Sequence, residues 1–85
     1  MIYKTKGTCS SSIDIDIDEN HIIRSVKFKG GCNGNLSGIS RLVVGHTAEE
    51  VADILEGTTC GPKPTSCPDQ LSKALRQAVR MAEES

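Results

Sequence analysis

The sequence predicts an α+β domain: a small antiparallel sheet of about three strands followed by three helices packed on one face. Two patterns and their order carry that prediction. From Ile13 to Asp18 isoleucine and aspartate alternate strictly, the period of a half-buried strand with isoleucines inward and aspartates in water. From Leu71 to Ala82 the apolar residues recur at helical spacing. Strands come first and helices after, which gives a sheet layer covered by a helix layer.

Each element has its own signals. Ile2 to Lys6 supplies a strand, and Gly7 to Ser12 a bend that holds Cys9. After the alternating strand, Asp18, Glu19 and Asn20 form a turn. His21 to Lys29 returns as the partner strand, with Ile22, Val26 and Phe28 on one face and Arg24 near the sheet edge with its head in solvent. A hairpin alone is marginal, so the isoleucine face needs a cover. Leu36, Ile39, Ser40 and Val43 give a first helix, stopped by Gly45. Gly38 weakens that helix by about 1 kcal/mol relative to alanine, which suggests close backbone packing there. Thr47 and Glu50 form a capping box for a second helix, carrying Val51, Ile54 and Leu55 and ending at Gly57. Ser66 and Asp69 form another, with Pro68 in the first turn where it loses no hydrogen bond. The third helix presents Leu71, Ala74, Leu75, Ala78, Val79 and Ala82.

The chain of 85 residues is read as a single domain, residues 1–85, without internal repeat or linker. It has no tryptophan, one tyrosine and one phenylalanine, so Ile, Val, Leu and Ala make the core. A core this small commonly draws support from a metal, a disulfide or a partner subunit, which admits self-association or an unidentified protein partner. A net charge of -1 argues against nucleic acid, which needs a concentrated basic surface. No apolar run reaches the length of a signal peptide or a membrane span. The expected location is cytoplasmic, where clustered cysteines are metal ligands or reactive thiols more often than disulfides.

Four cysteines are the candidate chemistry: Cys9, Cys32, Cys60 and Cys67. All fall in loops or at element ends. Their spacing matches no paired Cys-x-x-Cys knuckle, so the fold must gather them. Sulfur-rich coordination favours zinc or an iron–sulfur cluster over calcium or magnesium. Cys67, at the start of the last helix, also gains from unpaired backbone N–H groups and the helix dipole, which favour thiolate, although Asp69 opposes this by like charge. The loop from Gly30 to Asn35 contains neither a dinucleotide nor a Walker pattern, so its glycines read as backbone freedom around Cys32. His21 reads as a surface turn residue. His46 reads as a loop residue ahead of Thr47, with metal ligation as the lesser reading. Asp14, Asp16 and Asp18 read as a solvated strand face.

Thr65-Ser66-Cys67-Pro68-Asp69 spells the signature of the TSCPD domain family, which the whole chain resembles through Cys9, Gly30-Gly31-Cys32-Asn33-Gly34-Asn35, Cys60 and Gln70-Leu71. Family members occur as small free-standing proteins and as C-terminal domains of ribonucleotide reductases. The resemblance implies a free-standing accessory module related to the reductases. It does not imply a chain that reduces nucleotides itself, because the catalytic barrel is lacking. A second resemblance is to iron–sulfur scaffold proteins of the IscU and NifU type, in the order of elements and in Phe28-Lys29-Gly30-Gly31-Cys32 and Thr47-Ala48-Glu49-Glu50. It implies a similar fold, with cluster cysteines at Cys9, Cys32 and Cys67. Ser11 stands where the scaffolds carry aspartate, and Gly61-Pro62-Lys63-Pro64-Thr65 replaces their chaperone-recognition stretch. A fourth ligand at Cys60 favours a closed site over one that hands a cluster on. Thiol redox exchange and a purely structural or interaction role are the other readings.

Overall fold

The computed structural model describes residues 1–5, 10–31, 33–58 and 65–84. Three strands, β1 (Ile2–Lys4), β2 (Ser10–Ile17) and β3 (Ile23–Gly30), precede three helices, α1 (Asn33–Val43), α2 (Ala48–Leu55) and α3 (Cys67–Glu84). The sheet is antiparallel in the order β1-β2-β3. This is the α+β arrangement that the residue patterns predict.

The isoleucine–aspartate alternation does what its period requires. Ile13 and Ile15 are buried while Asp14 and Asp16 face water. Across the hairpin Ile15 pairs with Val26, and Ile13 with Phe28. Helix α1 lies on β3, while α3 lies on β2 and against α2. Together they close one core of Ile13, Ile15, Ile23, Val26, Val43, Val51, Leu71 and Leu75, with alanines between them. Among the described residues no helix is long and apolar enough to cross a membrane.

Two departures in strand register matter. Asp16 pairs with Ser25 but Ile17 with Ile23, so Arg24 is an extra residue on β3. This bulge shifts the inward face of β3 from the expected Ile22 to Ile23, which is 1% exposed, and Ile22 instead bridges to Thr47. At the other end Ser10 pairs with Gly30 and Ser12 with Lys29, leaving Ser11 as the extra residue on β2. That second bulge turns Ser10 inward, to 4% exposure.

The helices begin and end largely on their sequence signals. The Thr47 hydroxyl accepts the Glu50 N–H at 3.2 Å, and Gly45 and Gly57 take the positive φ of +92° and +81° that stops α1 and α2. Ile54, expected on the buried face of α2, is 69% exposed. It lines an apolar groove of about 240 Å³ between α1 and α2, with Ile39, Leu42 and Leu55.

Gly38 overturns its expectation. A Cβ built there meets nothing within 4 Å, so no close packing requires glycine. Gly38→Ala is expected to stabilise the domain by about 0.5–1 kcal/mol, through the backbone entropy that glycine loses in a helix. A denaturant midpoint that moves downward contradicts this.

The turn between β2 and β3 is tied to the start of α2. His21 adopts φ 64°, its carbonyl accepts the Ala48 N–H at 2.8 Å, and its Nδ1 lies 2.8 Å from Glu49 Oε2. The hydrogen bond to Glu49 raises the His21 pKa above its ordinary 6.5 and lowers that of Glu49 below 4.5. The histidine's contribution is complete below pH 6.5 and fades as pH rises through its raised value. The carboxylate's is complete above pH 4.5 and fades as pH falls through its lowered value. The pair therefore supports the fold most between about pH 4.5 and 6.5. His21→Asn keeps a residue that tolerates positive φ, and its stability deficit is expected to be largest in that window when unfolding is followed against pH. A deficit that does not change with pH excludes the ion pair.

Candidate functional site

The start of α3 is the chemical centre of the described structure. Cys67 is its first residue and is 7% exposed. Around it four polar side chains are also buried: Thr65 (7%), Ser66 (6%), Asp69 (5%) and Gln70 (3%). Ser10, turned inward by the β2 bulge, brings its Oγ to 3.2 Å from Cys67 Sγ. The Thr5 hydroxyl in turn donates to the Ser10 carbonyl, fixing the end of β1 beside it.

Ser66 caps the helix, its Oγ accepting the Asp69 N–H at 3.2 Å, as the sequence predicts. The other half of the predicted box does not form. Instead of reaching back to the Ser66 amide, Asp69 Oδ1 accepts the Gly57 N–H at 2.8 Å and its Oδ2 accepts the Thr65 hydroxyl. Lys73 Nζ lies 3.5 Å from Oδ2. The Thr65 hydroxyl, then the Gly57 amide and Lys73, hold the Asp69 carboxyl below the usual carboxylate range, outweighing the burial that pulls it upward. Gln70 Nε2 donates to Thr65 Oγ1 at 3.1 Å, and Ser66 Oγ donates to the Thr58 carbonyl at 2.6 Å. Residues 57–58, after α2, are thus laced to residues 65–66, just ahead of Cys67.

Of the four predicted ligands only Cys67 is among the described residues; Cys9, Cys32 and Cys60 lie outside them. Among the described residues no three His, Cys, Asp or Glu side chains gather as a group that could hold a metal. His46 stands at the wrong end for ligation. Its carbonyl accepts the Ile23 N–H, whereas Ser10 pairs with Gly30 at the far end of β3, about 20 Å along the strand. Asp14 and Asp16 are solvated as expected, and Asp18 accepts the N–H groups of Asn20 and Ile22 in the turn.

The sequence reading missed Ser10, Thr65, Gln70 and Gly57 as parts of this neighbourhood. Thr65 opens the signature and Gln70 follows it, so both were open to notice. Ser10 was not, because a run of three serines does not reveal which one a bulge turns inward.

Comparison with curated proteins and with solved structures gives no match. The family comparison does: the TSCPD domain matches residues 1–79. With nearly the whole chain matched, and with Thr65, Ser66, Cys67 and Asp69 forming one buried cluster, the chain belongs to the TSCPD domain family.

Proposed function

We propose that this chain is a metal-binding accessory domain in which Cys67, with Cys9, Cys32 and Cys60, holds zinc or an iron–sulfur cluster. One observation carries the reading: the described neighbours of the other three cysteines all gather at Cys67. Ser10, bonded to Cys9, lies 3.2 Å from the Cys67 sulfur through its hydroxyl. Gly30, two residues before Cys32, pairs with Ser10. Thr58, two residues before Cys60, accepts a hydrogen bond from Ser66, the neighbour of Cys67. Consecutive Cα atoms are about 3.8 Å apart, so one or two residues of chain reach only about 4–7 Å.

The chemistry of the donor set agrees. Four sulfurs suit a thiophilic metal, and four thiolates complete a tetrahedral zinc shell. A hydroxyl beside Cys67 Sγ and the N-terminus of α3 both suit an anionic sulfur. A metal held this way also compensates for the small core, because the unfolded chain cannot preform the shell and binding becomes folding stability.

The test is anaerobic purification followed by metal and sulfide analysis with an ultraviolet–visible spectrum. Stoichiometric, colourless zinc is expected for a closed structural site. Iron with inorganic sulfide and visible absorption moves the reading to a cluster, and with it to the scaffold or carrier role. Protein that takes up no metal under reducing conditions leaves a thiol or interaction module and ends the proposal.

A further inference from the structure

We propose that Thr65 and Asp69 act together as positioning residues for the Cys67 site, bracing the chain that carries the sulfur. This rests on the metal reading above.

A helix start needs less than is built here. Ser66 already caps α3 through the Asp69 N–H, and a simple box would return the Asp69 carboxylate to the Ser66 amide. Instead both carboxylate oxygens point away from the cap, one to the Gly57 amide twelve residues back and one to Thr65. Gln70 adds a further donor to the same Thr65 oxygen, at 3.1 Å. Thr65 is therefore the node, accepting from Gln70 and donating to Asp69, while Asp69 carries the connection across to the end of α2. With the bond from Ser66 to Thr58, the pairs 57–58 and 65–66 are joined by two links, one direct and one through Asp69, immediately before Cys67.

Burying these polar groups is a poor way to gain stability, since well-packed apolar side chains commonly do as well. It is a good way to fix one arrangement. Metal–ligand distances tolerate deviations of only about 0.2 Å, so a ligand on a chain that slides between alternative packings loses affinity. Residues that orient a ligand from behind typically contribute about 10–100-fold to metal affinity.

The experiment uses the full chain, reduced and anaerobic, as wild type, Thr65→Val and Thr65→Ser. Zinc affinity is measured by chelator competition. The cobalt(II) form is followed by its sulfur-to-metal charge-transfer and d–d bands, at a temperature where circular dichroism shows every metal-free variant folded. Thr65→Val is expected to weaken zinc about 10–100-fold and to shift the cobalt bands, with Thr65→Ser restoring both. Asp69→Asn, which keeps an oxygen for the Gly57 amide, should behave like Thr65→Val and serves in its place if the valine variant does not fold. A lowered melting temperature with unchanged zinc affinity and cobalt bands overturns the inference and leaves the metal reading intact. Wild-type protein that binds neither zinc nor cobalt overturns both.

Discussion

Ile15→Asp is expected to unfold most of the protein at room temperature, costing about 5 kcal/mol or more. Ile15 is 2% exposed, faces Val26 across the hairpin, and sits in the cluster with Leu71 and Leu75. Removing its side chain forfeits about 2–3 kcal/mol of burial. The introduced carboxyl group then adds a desolvation penalty of several kcal/mol in this apolar cluster. A domain this small has stability near the low end of about 5–15 kcal/mol, so the loss approaches the whole. Asp16→Asn, one residue on but facing solvent, is expected to change stability by no more than about 0.5 kcal/mol. Denaturant unfolding compares the two directly. Equal, small effects contradict the assignment of the isoleucines to the core.

Asp69→Ala is expected to cost about 2 kcal/mol in metal-free protein. It strands the buried Thr65 hydroxyl, with a penalty of about 1–3 kcal/mol, whereas the Gly57 N–H belongs to an exposed residue and turns to water. The comparison is Asp53→Ala, which breaks the ion pair with Arg76 at 2.8 Å. Asp53 is 72% exposed, and an exposed pair contributes no more than about 1 kcal/mol. Unfolding with chelator present separates the two variants; similar losses would mean that the Asp69 network is no stronger than a surface contact.

How much was legible follows from where the physics is local. The β2 strand announces itself because isoleucine–aspartate alternation has a period of exactly two residues, and α3 because six apolar positions keep one face over three turns. Helix starts at Thr47 and Ser66 were readable because a capping hydroxyl acts within three residues. What stayed hidden depends on partners distant in the chain. The bulge at Arg24 moved the core position from Ile22 to Ile23, and the bulge at Ser11 turned Ser10 toward Cys67, neither written in any local pattern. Gly38 was misread for a related reason: a glycine in a helix signals close approach only if something approaches. Ile54 fits the helical stripe of α2, but among the described residues nothing covers the groove it lines. At the candidate site the Ser66 cap beside Cys67 was legible. The lacing of Asp69 to Gly57 was not, since a box motif predicts a bond to Ser66.

The central claim is that the Cys67 sulfur is a metal ligand, and X-ray absorption at the edge of the bound metal tests it most directly. Zinc-loaded protein prepared without oxidant is predicted to show a sulfur shell at about 2.3 Å, and Cys67→Ser to lose about a quarter of that sulfur amplitude together with affinity. An oxygen and nitrogen shell at about 2.0 Å in the wild type, or a sulfur shell that Cys67→Ser leaves intact, would contradict it.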